Sequence, residues 1–248
     1  MKRKERHHLK ENPLAQTIMA AREVLETRGS LISNILIGVA VVAVLVAAFQ
    51  MWRGQSESRA QAALAQAMVT LNAQVVPPSA TPAQPGEVPA AATMGAVGTY
   101  ATESAKLSAA LPKLKAAADE FPDTGAGITA RYHYAASLAA LGRHEEALQA
   151  FDDVIARAEG ASVYGRMARL GKADTQMQAG QIDAAIATWK ELSASTDEDL
   201  PKDAILMELG RAYAAKGNQE EARKTFTQIV DEHPTSPYTA EARAELGS

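Results

Sequence analysis

The sequence contains no cysteine, and aromatic residues make up only 5% of its 248 residues. The lack of cysteine excludes a disulfide framework, a cysteine-ligated metal site, a thiol nucleophile and a lipid anchor attached through cysteine. Apolar residues still make up 47% of the chain, and alanine is abundant among them. A core with few rings and many alanines is expected to consist of closely packed helices.

Basic residues are scarce beyond the N-terminal region, because residues 53–248 carry 18 Lys and Arg against 25 Asp and Glu. Nucleic acids and anionic membrane surfaces are bound through clusters of basic side chains. The acidic balance therefore predicts that this part of the chain binds neither.

Charged side chains are absent from Leu31–Trp52, a run of 22 residues. As a helix this run would span roughly 33 Å, enough to cross a hydrocarbon core of about 30 Å. A helix that is apolar on every face lies in lipid or inside a large protein, and nothing else in the chain is apolar enough to enclose it. We therefore predict one transmembrane helix over residues 31–52. A cleaved signal peptide is the alternative, but the preceding region is too long for one.

Orientation follows from the flanks of this run, because residues 1–30 carry seven Lys and Arg against four Glu. Basic flanks stay on the cytoplasmic side of a membrane. We predict a membrane protein with residues 1–30 as a cytoplasmic tail and residues 53–248 on the outer side of the membrane. The tail has an apolar stripe at helical spacing, formed by Leu14, Ile18, Ala21 and Leu25. It predicts an amphipathic helix that ends near Gly29 and lies in the membrane interface or docks on a cytoplasmic partner.

Two further local features bear on the membrane anchor and on the domain that follows it. Ala40, Ala43 and Ala47 form a stripe of small residues, which would allow another transmembrane helix to pack closely. Five of the eleven prolines lie within residues 77–89. Proline blocks helical hydrogen bonds, so we predict a flexible Pro-rich loop over residues 75–98 that interrupts the outer domain.

From residue 100 onward the chain is helical in pattern and repeats every 37 or 38 residues. Small residues mark the period at Ala110, Ala147, Ala185 and Ala222. The last three follow a glycine by five residues, at Gly142, Gly180 and Gly217. Bulky residues follow the four alanines at Leu114, Phe151, Trp189 and Phe226, and further core residues at Ala117, Val154, Leu192 and Ile229. This pattern predicts helical hairpins in which glycine forms the turn and alanine allows close approach.

The last copy resembles the tetratricopeptide repeat at Leu209, Gly210, Tyr213, Gly217, Ala222, Phe226 and Pro234. The resemblance implies an all-α fold, in which one transmembrane helix precedes an α-solenoid of about three to four hairpins. Residues 56–74 would pair with the stretch around Ala110 as a degenerate first copy, and residues 237–246 would form a capping helix. A basic tail, one membrane helix and a small repeat domain outside are similar to the ancillary subunit of the bacterial Sec translocon. This resemblance implies a single-pass protein of the bacterial inner membrane, with residues 53–248 in the periplasm.

In the resembled fold, fixed positions of each first helix line a concave protein-binding groove. Here they fall on Tyr132, Met167, Leu170, Asp174, Met177, Met207 and Arg211, with Thr129, Ala136 and Ala215 beside them. Flexible methionine side chains can repack around unlike partners. The alternative is that the methionines only complete the core. The Lys and Asn positions with which some such repeats clamp a C-terminal carboxylate are absent, since Leu170 and Met207 occupy two that would require lysine.

No constellation of side chains in the sequence has the spacing of a catalytic or metal site, so we predict a non-enzymatic protein without cofactor or small-molecule substrate. The resemblance implies an adaptor or chaperone accessory at the bacterial protein-export machinery. Its partners would be Sec translocon subunits, a periplasmic chaperone or exported chains. The alternative is a cell-envelope scaffold for cell division or outer-membrane assembly.

Overall fold

The computed structural model describes residues 13–76, 98–158 and 162–247, with side chains from residue 33 onward except 35 and 36. The chain divides into two compact units, Met1–Gln55 and Ser56–Ser248. The regular secondary structure of the described residues is helical except for one pair of two-residue strands. Its elements, in chain order, are α1 (Pro13–Leu71), β1 (Gln74–Val75), β2 (Thr99–Tyr100), α2 (Glu103–Glu120), α3 (Gly125–Ala140), α4 (His144–Arg157), α5 (Val163–Gln178), α6 (Ile182–Ala194), α7 (Lys202–Ala215), α8 (Gln219–Glu232) and α9 (Thr239–Gly247).

In the first unit, α1 has a strongly apolar stretch whose side chains are exposed. Val44, Leu45 and Phe49 are 67%, 63% and 55% exposed, and Trp52 is 67% exposed. By length and composition this is the one helix among the described residues that could cross a membrane. The predicted helix end near Gly29 is wrong, because α1 runs from Pro13 to Leu71.

In the second unit, consecutive helices pack as antiparallel hairpins whose turns share one geometry. Gly142, Gly180 and Gly217 have positive φ angles of 75°, 73° and 82°, a region that an L side chain rarely adopts. After each glycine, the next residue's N–H donates to a carbonyl five residues back, as Asn218 does to Tyr213 at 2.9 Å. The three turns confirm the predicted repeat. They join α3 to α4, α5 to α6, and α7 to α8 as hairpins.

The core of these hairpins consists of the small and bulky residues that mark the repeat. All are at most 3% exposed: Ala110, Leu114, Ala117, Ala147, Phe151, Val154, Ala185, Trp189, Leu192, Ala222, Phe226 and Ile229. Alanine at the crossing point lets the two helix backbones approach, and the bulky side chain one turn later fills the space beside it. Burial therefore confirms the predicted core positions.

A fourth hairpin comes from α2 and residues 56–71 of α1, as predicted for the degenerate first copy. Ala67 packs on Ala110 and Leu114. The Glu57 carboxylate accepts the backbone N–H groups of Gly125 (3.2 Å) and Ala126 (3.3 Å), which are free donors at the start of α3. A long-range carboxylate cap thus joins the first hairpin to the second.

The predicted loop over residues 75–98 begins later than expected, because Val75 belongs to β1. This strand pairs in parallel with β2, in the register Val75 to Tyr100. Residues 77–97, which hold the five clustered prolines, lie outside the described residues.

The far end of the domain is covered by α9, as predicted for a capping helix. Ala242 of α9 is fully buried in the core cluster that contains Ile229. Between α6 and α7, the Lys202 ammonium donates to the carbonyls of Leu192 (3.2 Å) and Ser193 (3.0 Å). The free carbonyls at the end of α6 are therefore satisfied by the lysine that begins α7.

Candidate functional site

The face of α5 carries most of the residues that the sequence assigned to the groove. Met167, Leu170, Asp174 and Met177 follow one another at intervals of three and four residues, so they lie on one side of the helix. Met167 is 38% exposed, and Asp174 is also exposed. Leu170 and Met177 are partly buried against the core of the last repeats. On this face, the side chains of Met167 and Asp174 are therefore open to solvent.

On α3, the Tyr132 ring belongs to a cluster of aromatic side chains that includes Tyr164 of α5. Its ring centroid lies 5.6 Å from that of Tyr164, 6.1 Å from that of Phe151 and 5.4 Å from that of His133. Partial burial, followed by the neighbouring Tyr164 and Asp174, raises the pKa of the Tyr132 phenol. The charge of Asp174 acts on the Tyr132 phenol, so Tyr132 of α3 and Asp174 of α5 lie near each other. Their joint role in a binding groove stays a prediction.

Asp174 has an unusual environment for a carboxylate that solvent can reach. Neighbouring protein atoms remove part of its hydration, which raises its pKa to about 6, with the negative charge of Glu208 as a smaller cause. The carboxylate keeps contact with solvent, but the protein atoms beside it displace part of its water shell. Among the described residues, the Asp174 carboxylate has no hydrogen bond or ion pair.

On α7, the two residues predicted to line the groove differ in exposure, because the Arg211 side chain is solvent-accessible and that of Met207 is not. Met207 is fully buried in the core, so its assignment to the groove is wrong and the alternative of core packing holds for it. The Arg211 guanidinium pairs with Glu208, one turn earlier, and with Glu241 of α9, both at 2.5 Å. The hydrogen bond to Glu241 is the main cause that raises the pKa of Arg211.

Sequence reasoning missed four residues of this surface. Val163 lies one turn before Met167 on the same face and is 57% exposed, so extending the helical spacing backwards would have found it. Tyr164 and Glu208 lie three residues before Met167 and Arg211, a spacing at which helical side chains meet. Glu241 comes from the capping helix, and no local pattern connects it to Arg211.

The predicted packing stripe of α1 is exposed along its length. Ala40, Ala43 and Ala47 all have solvent-accessible side chains. Their contact with a second membrane helix stays a prediction.

Comparison with known proteins agrees with the repeat seen in the structure. The tetratricopeptide repeat family model matches residues 98–162 and 170–237, more than half of the chain. No curated protein sequence matches the chain. Solved structures with a similar repeat domain include MamA from Desulfovibrio magneticus RS-1, residues 41 to the end, with 22% identity, a TM-score of 0.46, and coverage of 57% of this chain and 73% of that chain.

A second similar structure is the nearly identical TPR-like repeats of a putative kinesin light chain from Podospora anserina, with 19% identity, a TM-score of 0.49, and coverage of 57% of this chain and 76% of that chain. The repeat fold is typically a non-catalytic scaffold for protein–protein interaction. The family-model match, supported by the glycine turns and the buried alanine positions, shows that this chain belongs to the tetratricopeptide repeat family.

Proposed function

We propose that the protein is a non-enzymatic adaptor of the bacterial inner membrane, with its tail in the cytoplasm and its repeat domain in the periplasm. It acts at the protein-export machinery, where the groove binds a periplasmic chaperone or an exported chain and the membrane helix contacts translocon subunits. One observation carries this proposal: the chain combines an apolar helix with exposed side chains and a repeat domain with an open apolar face on α5.

The exposed membrane-type helix supports the anchoring part of the proposal. Apolar side chains on every face of a helix are stable in lipid and costly in water. The basic excess of residues 1–30 supports the orientation.

The α5 face supports the binding part. Met167 and Val163 expose apolar surface next to the tyrosine pair of the groove. Contiguous apolar surface that is rimmed by polar groups marks interaction sites on soluble domains.

Photo-crosslinking in intact cells tests both parts at once. A photoreactive amino acid replaces Met167 in the groove, Ala43 in the membrane helix or, as control, the exposed Glu145 of α4 on a different helix. We expect translocon subunits at Ala43, and chaperones or exported chains at Met167 but not at Glu145.

Other adducts would lead to different conclusions. Cell-division or outer-membrane assembly proteins at both sites would replace the export assignment with the cell-envelope scaffold. A Met167 probe that forms no adduct, while the Glu145 probe reacts, would contradict the groove as the binding surface.

A further inference from the structure

The chemistry of the α5 groove indicates which kind of polypeptide it accepts, an inference that rests on the proposed function. The face of α5 from Val163 to Met177 carries two charged residues, Arg166 and Asp174, among apolar ones. Arg166 is already paired with Asp197 and Asp199 of the connector between α6 and α7. A single carboxylate in an apolar stripe is partly dehydrated, and among the described residues nothing neutralises it. Such a charge is stabilised when a partner supplies a cation.

The basic residue of the groove is already engaged. Arg211 pairs with Glu208 and Glu241, so its charge is more than balanced by those two carboxylates. Together with Asp174 the set contains three carboxylates and one guanidinium. The groove is therefore electrostatically complementary to a positively charged side chain and repels an acidic one.

The apolar part of the surface lies on both sides of the charge along α5. Val163 and Met167 precede Asp174 and are exposed, and Tyr132 and Tyr164 stand beside them. Met177 follows Asp174 by one turn and is partly buried. A ligand that satisfies the whole stripe must place apolar side chains before and after one basic side chain.

We propose that the groove binds a polypeptide segment in which apolar residues flank a lysine or arginine, and that Asp174 forms the ion pair that recognises the basic side chain. The apolar flanks supply burial against the stripe, and the ion pair supplies selectivity. Arginine is the better match, because its guanidinium can donate two parallel hydrogen bonds to one carboxylate.

Three fluorescent peptides of twelve residues test this proposal on the full chain in lipid nanodiscs, with empty nanodiscs as background. The peptides share a sequence of leucine and serine and differ only at one central position, which is arginine, glutamine or glutamate. Affinity is measured by fluorescence anisotropy for the wild type, for Asp174→Asn, and for Asp231→Asn, which removes an exposed carboxylate of α8 outside the groove.

We expect the arginine peptide to bind the wild type about tenfold more tightly than the glutamine peptide, and the glutamate peptide to bind most weakly. Asp174→Asn should reduce the arginine preference to about twofold or less and leave the glutamine peptide unchanged. Asp231→Asn should keep the full preference. Added salt should weaken the arginine peptide more than the glutamine peptide.

Equal affinities of the arginine and glutamine peptides for the wild type would overturn the proposal, as would a preference that survives Asp174→Asn. Failure of all three peptides to bind would also overturn it. In that case the Met167 crosslinks separate the two claims: cellular proteins captured there would leave the proposed function standing, and their absence would contradict both.

Discussion

At the residue scale, the contact between α7 and α8 depends on the absence of a side chain at Gly210. A β-carbon at this position would stand 2.4 Å from Cε1 of Phe226, well inside van der Waals contact. Both residues are buried, so neither ring nor helix can move away freely.

We predict that Gly210→Ala destabilises the repeat domain by about 1–3 kcal/mol, as overpacking of a core does. Urea unfolding of the full chain in detergent, followed by circular dichroism, measures this. Gly247→Ala is the control, because nothing lies within 4 Å of the added methyl there. Combining Gly210→Ala with Phe226→Leu should recover part of the loss, and a neutral Gly210→Ala would show that the close approach is wrong.

Asp174 gives a second prediction at this scale, in the dependence of stability on pH. Its pKa is raised from the ordinary 3.8 to about 6 in the folded state, so the folded protein binds this proton more tightly than the unfolded chain. The unfolding free energy should therefore fall as the pH rises from about 4 through about 6. The ionisable groups that interact with Asp174 include Tyr132 of α3 and Glu208 of α7, and Glu208 in turn pairs with Arg211.

Asp174→Asn should remove this dependence, leaving stability unchanged near pH 4 and raising it near pH 7.5. Solvent reaches the carboxylate and screens it, so we expect a gain of about 1 kcal/mol or less. Urea unfolding of wild type and variant between pH 4 and pH 7.5 measures the difference. A variant that is less stable at pH 7.5 would mean that Asp174 has a stabilising partner.

At the scale of helices, the start of α3 relies on a carboxylate from a distant part of the chain. Glu57 accepts two backbone N–H groups there, and a negative charge also suits the positive end of the helix. We predict that Glu57→Gln costs about 1 kcal/mol of stability, as the loss of a helix cap does.

Hydrogen exchange locates this effect. The amides of Gly125 and Ala126 should exchange faster in Glu57→Gln, while those in α7 and α8 stay unchanged. Glu191→Gln, which alters an exposed carboxylate of α6, is the matched control. Unchanged exchange at the start of α3 would show that water replaces the cap without loss.

At the scale of the whole molecule, the orientation in the membrane is open to a direct test because the natural chain has no cysteine. We predict that a membrane-impermeant maleimide labels the Glu145→Cys variant in intact spheroplasts. The Lys10→Cys variant, in the basic tail, should be labelled only after the membrane is permeabilised. Labelling of Lys10→Cys alone in intact spheroplasts would reverse the predicted topology.

The repeat was predictable because its signal is local and recurs. Each hairpin needs a residue that accepts positive φ, a small residue at the crossing and a bulky one beside it, and these needs fix residue types at constant offsets. Gly142, Gly180 and Gly217 illustrate this directly, since all three adopt the backbone angles that their position requires. The apolar helix that precedes the domain could likewise be predicted from composition alone.

The sequence by itself therefore determined the helical class, the repeat and its core, and a helix with the length and composition of a membrane span. The tertiary structure decided which of the residues predicted to line the groove are exposed and which are buried. Met207 and Met167 are alike in the sequence, yet one is fully buried and the other exposed, because the packing of α9 and the neighbouring helices determines which side of each helix is covered. The charge around Arg211 likewise depends on Glu241, which lies 30 residues away in the sequence. Only the packing of α9 on the last repeat brings that pair together.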